Sequence, residues 1–526
     1  MKNTIQKAGL LLELVSEKAI KFMILILCGA LAWGASTATF RYPISYLEEY
    51  IQEYVDSPLK NIAVAVVVFF LFYLFQKLFF YKADEKQQKK RVFLLAVISV
   101  ILTAILLSIW VTVSNLEPYW DQLEVFLTAK SFRAGDYSNM KYAYLSLYTQ
   151  QYGLIFLEEL LMGIWPNYLL FQYINILFIC MIIFLLYRIT DCLFHNQTVN
   201  LYTLAGITFF LPMHMYVTYV YGDLCSIAFS LLAVYCLIKW NENGKWRCLA
   251  IAAVGSIIAV LARTNTLIPL FAIAIVCVIL SLKKWSFKPI LFALILLLLP
   301  MGSTHGVQKF YELRSGNEVG KSVPSLLWIA MGMLEDGGAV GVYNGYVEAV
   351  WNSSEHNKKE ATEFAAYDIQ RRLEDFRQDP AYAWDFYRFK VLEQWAEPSF
   401  SSLTMTGKYT QESEGLVRFI YYGLFPDLFL RFMNYFLYIL YFGAFCYAAC
   451  SLRRREGILN VLLLIAVVGG FLFCILWEAK SRYMLPFAIF LLPYMARGIH
   501  MAQDTVQRLI ARLFHTETSS NSTLPI

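Results

Sequence analysis

The stretch LYTQQYGLIFLEELLMGIWP, residues 147–166, decides how the whole chain is threaded. It is apolar enough and long enough to cross a bilayer. Yet Glu158 and Glu159 stand side by side near its middle, where charge is costly in hydrocarbon. Read as a span, it reverses the orientation of everything that follows. The basic residues choose between the readings. With the stretch lying on the surface, KADEKQQKKR (82–91), KWNENGKWR (239–247), KKWSFK (283–288), LRRRE (452–456) and the tail with Arg497, Arg508 and Arg512 share the cytoplasmic side. With it spanning, all but the first of these move outside, against the positive-inside rule. The sequence therefore predicts an interfacial helix, with both termini cytoplasmic.

Composition supports the class. Apolar residues make up 58% of the chain and charged residues 16%, too few to cover a soluble surface. The expectation is an all-α polytopic membrane protein with twelve spans, near residues 20–40, 61–81, 92–113, 167–187, 199–215, 224–240, 248–262, 266–282, 289–302, 428–450, 458–477 and 484–497. Residues 1–18 read as a short amphipathic helix, with no cleavable signal peptide evident. The ten cysteines lie in or beside apolar runs and none falls within residues 303–425, so they read as small membrane-buried hydrophobes rather than a disulfide scaffold. The last ten residues, rich in Ser and Thr, read as disordered.

This threading gathers four polar features on the outer face. They are NLEPYWDQLEVFLTAKSFRAGDY (115–137), VTYVYGDL (217–224), LARTN (261–265) and WEAKSRYMLP (477–486). In the first, Trp120, Leu123, Phe126 and Leu127 share one helical face while Asp121, Glu124 and Thr128 share another, as for a helix lying on a membrane. Asp121 reads equally as an N-cap or as a catalytic carboxylate. Asp136, after Gly135, reads as a turn residue. Asp223 sits at a helix start. Arg263 lies between two apolar runs with almost no polar linker, a place that calls for an anionic partner or a phosphate. Glu478 and Arg482 are spaced to pair on one helix face, and Lys480 and Arg482 are placed to hold a phosphate at headgroup level. The Gly-rich MGMLEDGGAVGVYNGY (331–346) lacks the Gly-Lys-Ser/Thr ending of a P-loop and reads as a flexible loop. Histidines and cysteines show no metal-ligand spacing.

An Asp a few residues past an early span, followed by surface-lying helices, resembles the first outer loop of GT-C glycosyltransferases. These include protein O-mannosyltransferase-like and aminoarabinose-transferase-like enzymes. PYWDQLEVFLTAKSFRAGDY…YTQQYGL, YVYGD, MGM…GGAVGVYNGY, FKVLEQWAEPSF and WEAKSRYMLP together look like a Gram-positive bacterial branch, over about residues 92–497. The resemblance implies a GT-C-like bundle. Residues 1–91 would be an extension with two extra spans, and 92–302 a module with its first outer loop at 114–166. Residues 303–427 would form an extracytoplasmic loop region, 428–497 the last spans and 498–526 a cytoplasmic tail. It implies a polyprenyl-phosphate-linked sugar donor, a polysaccharide, teichoic acid or glycolipid acceptor, and contact with membrane lipids. No cofactor, metal or nucleic acid is implied. Asp121 would be the catalytic base of an inverting transfer. Gln122, Asp223, Arg263, Glu478, Lys480, Arg482 and Tyr483 would bind substrate. Asp121–Gln122 stands where many such enzymes carry Asp-Glu, which argues against a two-carboxylate or metal-dependent scheme. The rival expectations are a lipid-linked polysaccharide polymerase or ligase leaning on Arg371, Arg372 and Arg377, and a lipid-linked-sugar flippase or transporter.

Overall fold

The computed structural model describes residues 2–42, 51–141, 143–336, 339–408, 410 and 413–520. Among these, ten helices are long and apolar enough to cross a membrane. Among the described residues, strand is confined to two short antiparallel pairs, Ala38–Arg41 with Gln52–Val55 and Glu335–Asp336 with Ala339–Val340. The chain is an all-α polytopic membrane protein.

Two of the twelve expected spans fall short of that length. Trp246–Ala262 has 17 residues. The run at 199–215 is broken into Gln197–Thr208 and Leu211–Met215, with Pro212 in the first turn of the second piece. The first piece is almost wholly buried inside the bundle, so it meets protein rather than lipid and is free of the bilayer's length rule. Other helices run beyond their expected ends. Residues 2–37 form one helix, Lys2–Thr37, rather than a surface helix followed by a span. Lys288–Ser315 continues well past residue 302. The final helix runs from Leu485 to Ser520 instead of stopping near 497, and residues 521–526 of the expected disordered tail lie outside the described residues.

The deciding stretch becomes a helix of only ten residues, Tyr152–Leu161. At about 1.5 Å per residue it covers roughly half of a 30 Å hydrocarbon layer, so it does not span. Its two carboxylates have different surroundings. Glu159 accepts from the Tyr311 hydroxyl at 2.6 Å and pairs with Arg314, both on the extended end of Lys288–Ser315. Glu158 is buried with neither oxygen hydrogen-bonded among the described residues, and that burial pushes its carboxyl well above the ordinary range.

Helices alternate between two ends of the bundle. The last helix crosses Leu424–Ser451 so closely that a Cβ on Gly498 would lie 1.8 Å from the Gly443 carbonyl oxygen, an approach only glycine allows. At one end, the carboxylates of the first helix cap another helix start. Glu17 accepts from the backbone N–H of Glu456 (2.8 Å) and Gly457 (3.2 Å), and Glu13 from that of Ile458 (3.2 Å). Lys21, fully buried, donates to Glu17 at 2.7 Å and lies 3.0 Å from Glu456, while Glu13 pairs with Lys283 at 2.7 Å. Every charge in this group has a partner, so the cluster holds the N-terminal helix to the end of Leu267–Lys284 and to the turn between Leu424–Ser451 and Leu462–Leu476. Removing one member strands the others. Lys21→Ala leaves two carboxylates facing each other in a buried site. It is expected to cost about 3–5 kcal/mol, read as a fall in the thermal unfolding midpoint of the detergent-purified protein, with Lys21→Met no better.

Candidate active site

The opposite end of the bundle is where helices break. Three irregular segments meet there: residues 216–222 before Asp223–Asn243, residues 263–266 between two spans, and residues 477–484 between Leu462–Leu476 and the final helix. Irregular backbone at this depth is stable only where protein or a watery cavity surrounds it. These segments, with the surface helices, enclose a chamber of about 1040 Å³. Asp121, Arg263, Glu478, Lys480, Arg482 and Tyr483 all line it.

Asp121 is the second residue of the helix Trp120–Arg133, whose N-cap is Tyr119, so Asp121 is not the cap. Trp120 before it holds a left-handed φ of +51°, strained for a bulky residue, with the Lys408 ammonium 3.4 Å above its ring centre. Burial holds the phenols of Tyr144 and Tyr148 above their ordinary range, with the Asp121 charge adding to it.

Of the expected polar face, Asp121 lines the chamber and Thr128 is buried with Gln122, Val125, Ala129 and Phe132. Of the apolar face, Leu127 is 43% exposed and Trp120 39%. A further side packs on Tyr152–Leu161. Gln122 is corrected. It does not line the chamber. Its side-chain oxygen, 2% exposed as a residue, accepts from the Tyr168 hydroxyl (2.5 Å) and the Val220 N–H (3.1 Å), tying the surface helix to the 216–222 segment. Glu124 is exposed, and Asp136 accepts from the Ser138 N–H at 3.0 Å in a turn.

The cations form one group. The Arg263 guanidinium lies 5.2 Å from the Tyr221 ring and 5.8 Å from Tyr483; that of Arg482 lies 5.2 Å and 5.6 Å from the same two rings. Arg482 also donates to the Tyr219 hydroxyl at 2.5 Å and is 4% exposed. Asp223 opens its helix after Gly222 and pairs with Arg263 at 3.4 Å, so it is both a helix start and a neighbour of the cations. Its second carboxylate oxygen is buried without a partner among the described residues. Arg263, Asn265, Arg482 and Tyr483 line a second, smaller pocket as well. It holds Asp223 and continues into apolar walls of Ile227, Ile268, Phe473, Phe487 and Phe490. The expected Glu478–Arg482 pair does not form. Residues 477–480 are not helical, so helical spacing does not apply, and Glu478 instead accepts from the Tyr483 hydroxyl at 2.9 Å.

The Gly-rich stretch is not a loose loop, although Gly337 and Gly338 lie outside the described residues. A Cβ on Gly332 would sit 2.6 Å from the Trp477 carbonyl oxygen, and the Gly341 carbonyl accepts from the Ala479 N–H at 2.7 Å. The glycines let this hairpin press against the chamber wall. The helix that follows, Tyr346–Ser353, brings Glu348 into the chamber beside Tyr148, Trp328 and Tyr343. Sequence reading missed all four, since each is a single side chain with no motif around it. The arginines of the polymerase reading do not line the chamber: Arg372 is caged by Phe376, Tyr382 and Phe386, and Arg371 and Arg377 are exposed.

A family model described as conserved hypothetical integral membrane protein matches residues 55–499, from just before the second expected span to just past the last one. No curated protein and no solved structure matches the chain.

The placement of Gln122 generates a test. Gln122→Ala leaves the buried Tyr168 hydroxyl without its acceptor and the Val220 N–H with only the Tyr168 oxygen, at 3.2 Å. It is expected to cost about 1–3 kcal/mol, seen as a lower unfolding midpoint, whereas a substrate-contacting role would leave that midpoint unchanged.

Proposed function

Because the chain belongs to this family of conserved hypothetical integral membrane proteins, whose description names no reaction, the function is read from the chamber, and we propose that it is a membrane glycosyltransferase moving a sugar from a polyprenyl-phosphate donor to an extracytoplasmic acceptor. One observation carries the reading. Arg263 and Arg482 stand at the junction of a wide polar chamber holding Asp121 and a narrow pocket with apolar walls between the spans. An anionic headgroup joining a sugar to a lipid tail has that polarity profile, with the charge at the arginines, the sugar in the chamber and the tail in lipid.

The chemistry follows from the residues. Asp121 takes the proton from the acceptor hydroxyl. The hydroxyl oxygen attacks the anomeric carbon from the face opposite the phosphate, and the bond from that carbon to the phosphate oxygen breaks. The leaving polyprenyl phosphate gains negative charge, which Arg263, Lys480 and Arg482 stabilise. Glu478 and Tyr483, hydrogen-bonded to one another, border the cations, and Asp223 holds Arg263 in place. The lipid donor suits a reaction outside the cell, where nucleotide sugars are lacking. The positive-inside rule supports that sidedness. Lys283 and Lys284 end one span and residues 453–455 follow another, at the bundle end away from the chamber.

Two measurements test the reading. With a radiolabelled polyprenyl-phosphate hexose, Asp121→Asn is expected to lose about 10²–10⁴-fold in transfer while still binding undecaprenyl phosphate. Near-normal transfer by that variant would move the base to Glu348 or Glu478. Arg482→Ala is expected to lose lipid-phosphate binding, with Arg482→Lys recovering only part of it because an ammonium lacks the planar fork. For sidedness, Ser353→Cys should react with an impermeant thiol reagent on intact cells and Arg454→Cys should not; protection of position 353 refutes the orientation.

A further inference from the structure

Beyond the donor site, the chamber has a second wall that the proposed chemistry leaves unused. Four aromatic rings follow one another along it. Tyr144 lies 5.0 Å from Tyr148, Tyr148 5.7 Å from Trp328, and Trp328 6.2 Å from Trp477, the last two nearly parallel at 16°. All four line the chamber and none is fully buried, so they keep apolar surface turned to a polar space. The series ends at Trp477, next to Glu478 and the cation group.

Gln150, Ser322, Ser325 and Asn344 add uncharged polar groups to the chamber lining. Of the carboxylates that line the chamber, Asp121, Glu348 and Glu478, the proposed transfer gives no role to Glu348, which bonds the Tyr343 hydroxyl and has a buried oxygen without a partner among the described residues. Burial, reinforced by the nearby carboxylates, holds the Tyr148 and Tyr343 hydroxyls above their ordinary range, so both stay protonated donors at neutral pH.

Ring faces beside neutral donors and acceptors suit a ligand with apolar C–H faces and hydroxyl edges, which is the chemistry of a sugar ring. At about 1040 Å³ the chamber lies at the upper end of ligand pockets, too large for a single sugar and a phosphate. A polyanionic acceptor fits poorly, because Glu348 would repel it and the cations sit at the donor end. A lipid acceptor fits poorly too, since hydrogen-bonding groups line the chamber together with the rings. We infer that the Tyr144–Tyr148–Trp328–Trp477 wall with Glu348 binds a neutral glycan chain several sugars long, and that this chain is the acceptor in the reaction proposed above, on which the second clause rests.

The test is binding of the purified full-length protein in nanodiscs to neutral oligosaccharides of increasing length on an array, with glycerol-phosphate oligomers and undecaprenyl phosphate measured in parallel. The expected result is that at least one neutral series binds about tenfold tighter as tetrasaccharide than as monosaccharide. Trp328→Leu should abolish that length dependence and Glu348→Gln weaken it, both with undecaprenyl phosphate binding intact, which also shows that the variants are folded. Length-independent binding in every neutral series, preference for the glycerol-phosphate oligomers, or an unchanged Trp328→Leu overturns the inference. If undecaprenyl phosphate binds and glycans do not, only this inference fails. If glycans bind and the lipid phosphate does not, the donor reading fails and the glycan site stands.

Discussion

A guanidinium at 4% exposure beside membrane spans has to be compensated where it sits, and much of the chamber is arranged around Arg482. The compensation comes from ring faces and one acceptor: Tyr219, Tyr221 and Tyr483 surround it, and the Tyr219 hydroxyl takes one of its N–H groups. Those tyrosines can reach it only because their segments are not continuous helix. Residues 216–222 turn in a short 3-10 helix and extended backbone, and residues 481–484 in another 3-10 turn. The arginine, the breaks and the cavity are one feature, since the released backbone groups need the polar space that the breaks create.

A second layer holds the 477–484 segment from below. Glu397 is buried, and its carboxylate accepts from the N–H of Ser399 (3.0 Å) and Ser401 (2.5 Å) and from the Ser481 hydroxyl (2.8 Å). It thereby joins Phe400 and Ser401, both at left-handed φ, to the residue next to Arg482. Burial raises the Glu397 carboxyl while these hydrogen bonds lower it, with burial prevailing. Lys390, also buried, donates to the Gly332 carbonyl, and burial pulls its ammonium down to about 8. Its neighbour Glu393 is pushed upward by the same cause. The FKVLEQWAEPSF motif is thus the support of the cavity wall, and none of its residues lines the chamber itself.

Much of the architecture was readable from local pattern. Long apolar runs bounded by basic clusters became helices, and the paired carboxylates in residues 147–166 pointed to a segment that does not span. Asp121, Arg263, Lys480 and Arg482 were each picked out because a charge stood close to an apolar run, and the fold brings all four to one chamber. Pattern failed where the criterion was the neighbour rather than the residue. Gln122 has the same local signature as Asp121, yet its oxygen turns inward to Tyr168 and Val220. Glu478 and Arg482 have helical spacing in a stretch that is not helical, because Arg482 is drawn to tyrosines of another segment.

What the sequence by itself determined is the class, the approximate positions of the long spans, and the places where charge meets hydrocarbon, all of which depend on composition over a window of about one span. The tertiary structure alone decided which side of the Trp120–Arg133 helix is buried, that Glu348 and the aromatic wall share a cavity with Asp121, and that the Gly-rich stretch presses on residues 477–479. The physical reason is the range of the forces concerned. Hydrophobic partition acts on each segment separately and is legible in one dimension, whereas a ring against a guanidinium, or a glycine against a carbonyl, depends on contacts between separate segments of the chain.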